Sequence, residues 1–255
     1  MDRCETFIVN SYHYNDVHYG DVQIIINIIY NCALRDNFKA KVHFRRANIG
    51  EQIFKIFNYE PYVEIIYKSN PLPYTFKTGY MLNLGKYKTA NWCNLNFCRS
   101  SCILNPLKKF FTPPHKIVNF KKCDYKCFQL DGRSSNEFKP KLNDNDMNRM
   151  IDIFHEKESY AIGGTETNVY IKNMPTHFTN LEKQAKFILS SKSFFGVDSG
   201  MSHLAGTLNV DGDIVIQASD KFLSESVKLA YEFMYSNFRV YTRDFVEKKC
   251  SIKIL

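Results

Sequence analysis

The chain has 255 residues, of which 44% are hydrophobic, and a formal net charge of +8 at pH 7. This length allows one large core or two compact domains, since domains commonly run to about 100–150 residues. No uninterrupted apolar run reaches the roughly 18–20 residues of a bilayer span, and the first ten residues lack the apolar stretch of a signal peptide, so we expect a cytoplasmic protein.

The first part of the chain alternates predicted strands and helices. Strands are predicted at residues 6–10, 41–45 and 63–67, and helices at residues 22–34 and 51–57. This succession is typical of parallel βαβ units. Aromatic, proline and cysteine residues break any sustained period in residues 70–115, so the topology there stays open.

A proline-rich basic segment, residues 106–114, has the composition of a stiff connection between domains. We place the boundary near residue 118, which gives an N-terminal domain of residues 1–118 and a C-terminal domain of residues 119–255. The second domain again alternates strands and helices. Its predicted strands are residues 126–130, 159–162, 194–197 and 213–217, and its predicted helices are residues 144–156, 181–189, 201–208 and 224–235.

Five of the eight cysteines cluster in one region: Cys93, Cys98, Cys102, Cys123 and Cys127. Their gaps are irregular and they form no CxxC pair, which favours ordinary reduced thiols over a structural zinc site. The alternative, a zinc-stabilised nucleic-acid-binding protein, predicts stoichiometric zinc and no affinity for nucleotide sugars.

The segment most informative about function runs from Phe195 to Gly206. A predicted buried strand enters Asp198-Ser199-Gly200 and then continues directly as a helix. The unpaired N–H groups of a helix start favour an anion such as a diphosphate, and Gly200 allows a ligand to approach closely. An ordinary N-cap followed by a core helix explains the same residues equally well.

This segment resembles the C-terminal signature of the heptosyltransferase family, glycosyltransferase family nine, in which Asp-Ser/Thr-Gly precedes a Ser-His pair. The resemblance implies an α/β protein of the GT-B type, with two Rossmann-like domains whose parallel sheets face a central cleft. It also implies a donor site in the second domain that includes Asp198, Ser199, Gly200 and His203. As an alternative, a histidine one turn into a helix can be a structural hydrogen-bonding residue.

Two further segments are similar to parts of the same family's second domain. Residues 128–140 resemble its first strand and loop, which ends in a phosphate-binding lysine near a Trp-Pro pair, although only Pro140 of that pair is present. Residues 160–166 resemble its strand, Gly-Gly and acidic turn, and the alternative for the acidic residue is a solvated turn. The implied donor-binding residues in these segments are Arg133, Ser134, Lys139, Gly164 and Glu166.

In the first domain, Tyr19-Gly20-Asp21-Val22 resembles the family's Gly-Asp-Val segment. There the aspartate is the proposed general base, so the resemblance implies that Asp21 removes the acceptor's proton in an inverting transfer. Without the resemblance, an aspartate at a helix start is more often a cap. The acceptor-side residues implied are His18 and Arg45.

We expect no cofactor and no divalent metal. Basic groups and a helix start can stabilise a leaving nucleoside diphosphate, and no Asp-x-Asp triplet lies near a predicted strand end. The triplet at residues 144–146 begins a predicted helix, and the one at residues 211–213 lies in a predicted turn.

The resulting prediction is a metal-independent transferase that moves a sugar from a nucleotide-sugar donor to a surface glycan or lipooligosaccharide. The basic charge suits an anionic acceptor and peripheral association with an acidic membrane surface. A second hypothesis is an enzyme that glycosylates bases in phage DNA, since basic and aromatic residues alternate at residues 108–111 and 120–122. A third is a nucleotide-binding module without turnover.

Overall fold

The computed structural model describes residues 3–10, 19–44, 47–67, 81–84, 87–91, 107, 109–130, 144–162, 180–218 and 221–245. The chain divides into two compact units, residues 1–116 and residues 117–255. Each unit contains one five-stranded sheet. None of the helices in the described ranges is long and apolar enough to cross a membrane.

The sheet of the first unit has the strand order β3-β2-β1-β4-β5. Strands β1, β2 and β3 are parallel, and β4 pairs antiparallel with both β1 and β5. The predicted parallel arrangement therefore holds for three strands, and an antiparallel hairpin extends it in the region left open by the sequence. The five strands are Cys4–Asn10 (β1), Lys39–Phe44 (β2), Val63–Tyr67 (β3), Met81–Leu84 (β4) and Tyr87–Asn91 (β5).

Helix α1, Tyr19–Asp36, and helix α2, Ala47–Ile56, follow β1 and β2 in the chain. Residues 22–33 of α1 are buried without interruption, including Ile24, Ile25 and Ile26. Burial of this much apolar surface outweighs the modest helix propensity of β-branched residues. Asn37, with φ of 50°, ends α1 in the left-handed conformation that asparagine tolerates, and Phe38 N–H bonds to Ala33 O at 3.1 Å.

A ladder of buried amides runs along α1. Gln23 donates to Asn27 Oδ1 at 3.0 Å and to the Tyr59 hydroxyl at 2.7 Å, and that hydroxyl donates to Asn27 Oδ1 at 2.8 Å. Asn31 binds the backbone of Phe111 twice: its amide donates to the carbonyl at 2.9 Å, and its oxygen accepts from the N–H at 2.7 Å. These bonds tie α1 to two distant segments of its own unit and satisfy polar groups that burial would otherwise penalise.

The sheet of the second unit is parallel throughout, with the order β10-β9-β8-β6-β7. The strands are Lys126–Gln129 (β6), Ser159–Ala161 (β7), Ser193–Val197 (β8), Gly212–Ile216 (β9) and Phe238–Thr242 (β10). The first four agree closely with the strands expected from the sequence. Strand β10, which completes one edge, was not predicted.

Four described helices accompany this sheet: Asp144–Phe154 (α3), Leu181–Ser190 (α4), Gly200–Thr207 (α5) and Lys221–Met234 (α6). The predicted helical spacing of α3 places Met150 and Phe154 in a core cluster with Phe128, Phe195 and Val215. All four helices were predicted, with ends within three residues. The α/β class expected from the sequence is confirmed.

Candidate functional site

The strand order of the second unit changes direction between β6 and β8. The chain passes from β6 to β7 on one side, returns to place β8 beside β6, and continues outward through β9 and β10. In open parallel sheets, ligands bind outside the carboxyl ends of the strands at such a switch point. The Asp198-Ser199-Gly200 segment follows the carboxyl end of β8 at this position.

Ser199 is the N-cap of α5, with extended backbone angles of φ −155° and ψ 170°. Its hydroxyl oxygen accepts from the Ser202 N–H at 3.4 Å, and its hydroxyl proton is donated to Gln129 Oε1 at 2.7 Å. The resemblance implies that Ser199 belongs to the donor site; here its hydroxyl proton is taken by Gln129, at the end of the neighbouring strand β6.

The first turn of α5 is partly exposed at Ser199, Gly200 and Met201, whereas residues 202–208 are buried. The first N–H groups of a helix have no intrahelical acceptor, and the helix dipole adds partial positive charge at this end. Ser202 N–H is occupied by the cap. The amides of Gly200 and Met201 therefore form the part of this turn suited to an anion.

Asp198 is only 3% exposed and points into the unit. Its Oδ1 accepts from the Tyr231 hydroxyl at 2.8 Å, and its backbone N–H bonds to Val215 O at 3.2 Å. The resemblance implies that Asp198 belongs to the donor site; its carboxylate lies behind the turn, bonded to α6.

His203 is 4% exposed, and tyrosines of α6 and its C-terminal end bond to both ring nitrogens. Nε2 lies 3.0 Å from the Tyr231 hydroxyl, and Nδ1 lies 3.1 Å from the Tyr235 hydroxyl. Because the single Tyr231 proton is donated to Asp198, Nε2 must be the donor to the Tyr231 oxygen. The structure thus favours the structural interpretation of His203 over direct contact with a ligand.

Burial, followed by the nearby Asp198 carboxylate, raises the pKa of the Tyr231 hydroxyl well above its ordinary value. The hydroxyl therefore stays protonated at physiological pH and continues to donate to Asp198. Its ring stacks on His203 with centroids 4.7 Å apart. Hydrogen bonds and stacking together hold the residues behind the turn in one arrangement.

Close packing of α5 against the C-terminal end of α6 depends on Gly206. A Cβ at this position would lie 2.5 Å from Cγ of Tyr235 and 2.9 Å from Cε2 of Phe238, shorter than any ordinary contact. Gly206 belongs to the segment singled out in the sequence, but its packing role becomes visible only with Tyr235 in place.

Sequence reasoning missed the supporting residues Gln129, Tyr231 and Tyr235. Two weak signals for them exist. Gln129 interrupts an otherwise apolar strand end, and Tyr231 and Tyr235 are four residues apart, on one face of a predicted amphipathic helix. Neither signal identifies the partner that each side chain meets.

The remaining predicted site residues are Asp21 and seven others. Asp21 lies in the first turn of α1, and the structure describes its backbone position only. The others lie outside the described residues: His18, Arg45, Arg133, Ser134, Lys139, Gly164 and Glu166.

The described part of the chain contains no group of three or more His, Cys, Asp or Glu residues that could hold a metal ion. Of the cysteine cluster, only Cys123 and Cys127 are described, and both are free thiols. Cys123 is exposed, whereas Cys127 is buried in β6, where desolvation raises its thiol pKa well above the ordinary value.

Comparison with known proteins identifies the fold. No protein-family model matches the chain, and no curated protein sequence does. Among solved structures, E. coli heptosyltransferase WaaC with ADP superposes with a TM-score of 0.50 at 10% identity, over 98% of this chain and 99% of that one. The glycosyl transferase family 9 protein from Veillonella parvula DSM 2008 gives a TM-score of 0.50 at 11% identity, over 99% of this chain and 89% of that protein.

A third similar structure is the bacterial iron-containing dodecameric glycosyltransferase TibC from enterotoxigenic E. coli H10407. It has a TM-score of 0.51 at 13% identity, over 84% of this chain and 61% of TibC. At these low identities the comparisons show the fold alone, and that fold agrees with the resemblance seen in the sequence. The chain therefore has the heptosyltransferase-like fold of glycosyltransferase family nine.

Proposed function

We propose that this protein is an inverting, metal-independent glycosyltransferase that moves a sugar from a nucleotide-sugar donor to a hydroxyl of a surface glycan or lipooligosaccharide. One observation carries most of the support. The partly exposed first turn of α5 lies at the switch point of a parallel sheet, in a chain with a glycosyltransferase fold.

In this proposal the donor's diphosphate binds to the amides of Gly200 and Met201, where the dipole of α5 favours negative charge. The partial exposure of Gly200 and Met201 supports this assignment. Ser199 and Asp198 contribute by fixing the turn from behind. The other proposed donor contacts come from the resemblance alone: Arg133, Ser134, Lys139, Gly164 and Glu166.

The proposed reaction is a single displacement. The acceptor hydroxyl attacks the anomeric carbon, Asp21 takes the hydroxyl proton, and the bond from that carbon to the phosphate oxygen breaks. The electron pair of that bond leaves with the nucleoside diphosphate, whose charge the helix start and the basic residues stabilise. His18 and Arg45 are assigned to the acceptor side. No cofactor takes part.

The acceptor and location are also proposals. The net charge of +8 supports an anionic acceptor and peripheral contact with an acidic membrane surface in the cytoplasm. DNA is the competing anionic acceptor, because its phosphates attract the same surface. Salt-sensitive binding to duplex DNA, together with sugar transfer to it, would favour DNA over a glycan.

The test is a thermal-shift screen with ADP-, UDP- and GDP-sugars in the presence of EDTA, followed by assays of donor turnover. We expect one nucleotide class to stabilise the protein and to release its diphosphate with an added glycan acceptor. No stabilisation by any of these donors would overturn the proposal. Stabilisation without hydrolysis or transfer would identify a binding module, and activity only with added metal would overturn metal independence.

A matched pair of variants locates the donor site. Gly200→Asp puts a carboxylate at the start of α5, which suits the helix but should repel a diphosphate and weaken donor affinity at least about tenfold. Asn209→Asp adds the same charge just past the other end of α5, at an exposed residue. Equal affinities of the two variants would place the donor elsewhere.

A further inference from the structure

We infer that Tyr231 is a positioning residue for the donor site: its phenolic oxygen holds the turn of Asp198 and Ser199, so that the amides of Gly200 and Met201 face outward. This inference rests on the proposed function, because it takes a diphosphate to be the ligand of those amides.

Two groups, one from the turn and one from α5, meet at the Tyr231 oxygen. The hydroxyl donates to Asp198 Oδ1 at 2.8 Å. The oxygen lies 3.0 Å from Nε2 of His203, which donates to it because the single phenolic proton is already given to Asp198.

The geometry excludes direct contact between Tyr231 and a ligand. Its side chain is fully buried, and its ring is stacked on His203. His203 is fixed in turn by the Tyr235 hydroxyl, 3.1 Å from Nδ1. Tyr231 therefore acts through the backbone that it holds.

The cap of α5 determines which amides of the first turn are available. The Ser202 N–H is capped by the Ser199 side chain, which leaves the amides of Gly200 and Met201 as donors for an anion. Loss of the Tyr231 hydroxyl would release the Asp198 carboxylate, which directly precedes this turn, and these two amides would lose their fixed direction.

The experiment compares Tyr231→Phe with Tyr125→Phe. Tyr125 also lies in the second unit, and its hydroxyl donates to the Phe187 carbonyl at 2.6 Å, but it precedes β6 and so lies at the amino end of the sheet. Binding of ADP, UDP, GDP and pyrophosphate is measured by calorimetry, beside melting temperature and the amide NMR resonances of Gly200 and Met201. Both variants lose one tyrosine hydroxyl, so both should lower the melting temperature.

We expect Tyr231→Phe to weaken binding of the preferred diphosphate about tenfold and to shift the Gly200 and Met201 resonances. Tyr125→Phe should leave both unchanged. Equal affinity and unshifted resonances in Tyr231→Phe would overturn the inference while leaving the proposed function intact. If the unmodified protein binds none of the four ligands, the proposed function is wrong, and this inference, which rests on it, is wrong as well.

Should Tyr231→Phe fail to fold, Tyr235→Phe tests the same network, because it removes the bond to Nδ1 of His203 and keeps the Tyr231 hydroxyl. The expected loss of diphosphate affinity is then smaller, about threefold, since the Tyr231 hydroxyl stays in place. A Tyr235→Phe protein that binds as tightly as Tyr125→Phe would overturn the inference.

Discussion

The hydroxyl of Ser199 donates to Oε1 of Gln129 across 2.7 Å, and this bond joins the carboxyl ends of β8 and β6. The register of the two strands pairs Gln129 with Gly196, so Ser199 lies three residues beyond the pair. A side-chain bond thus links the two strands at the switch point of the sheet. The Ser199 oxygen can still accept from the Ser202 N–H and so cap α5.

This bond predicts a measurable coupling between the two residues. Ser199→Ala should lower the free energy of unfolding by about 1 kcal/mol, since it removes an N-cap. Gln129→Met keeps the length of the buried side chain but removes the acceptor. A double-mutant cycle followed by urea unfolding should give a coupling of about 0.5–1.5 kcal/mol. Additive effects would show that the bond contributes nothing.

Asp21→Asn tests the proposed base. The variant should lower the rate of sugar transfer at least about 100-fold, because the amide cannot accept the acceptor's proton, while donor affinity stays nearly unchanged. Asp36→Asn makes the same charge change at the last residue of α1 and should keep full activity. Unchanged turnover in Asp21→Asn would remove this residue from the mechanism.

Gly206→Ala should destabilise the protein, although alanine has a higher helix propensity than glycine. The added methyl would lie 2.5 Å from Cγ of the buried Tyr235 ring, so α5 and α6 must separate, at a cost of about 1–3 kcal/mol. Chemical denaturation measures the loss. Leu229→Ala, at a position of α6 that is 62% exposed, serves as the control and should change stability by less than about 0.5 kcal/mol. A Gly206→Ala protein as stable as the unmodified one would contradict the observed packing.

The ion pair of Lys126 and Glu156 predicts a pH effect on stability. The Lys126 ammonium lies 3.0 Å from Glu156 Oε1, and its hydrogen bond lowers the pKa of that carboxyl. A carboxyl whose pKa is lower in the folded state stabilises the fold above its unfolded pKa, about 4.3, and the contribution disappears as pH falls through the folded value.

Glu156→Gln should therefore be less stable than the unmodified protein near pH 7, and the difference should shrink as the pH falls below about 4. The effect should be modest because the Glu156 side chain is 41% exposed and screened by water. Urea unfolding at several pH values measures it. Lys126→Met, which removes one ammonium, should lose much of the same pH dependence, and the remainder should come from Lys192, 3.5 Å from Glu156 Oε2. A difference that does not change with pH would contradict the assignment.

Most elements of the fold followed from local sequence, because a strand or helix leaves a periodic pattern in its own residues. The third strand, Val63–Tyr67, was predicted with its observed bounds, and α5 was predicted within one residue at each end. Strands β4 and β5 were not predicted, since aromatic and proline residues around them obscure alternation. Strand β10, Phe238–Thr242, was also not predicted.

The candidate site, like the fold, was predicted from the sequence only in part. The sequence by itself determined that a strand, an Asp-Ser-Gly turn and a helix follow one another at residues 193–207, because cap and periodicity are local properties. Only the tertiary structure decided which groups face outward. Gln129 and Tyr231 are 70 and 32 residues from Ser199 in the chain, and their contacts turn the Ser199 hydroxyl, Asp198 and His203 inward. The direction of a side chain depends on partners that folding brings together, and a local sequence pattern does not identify those partners.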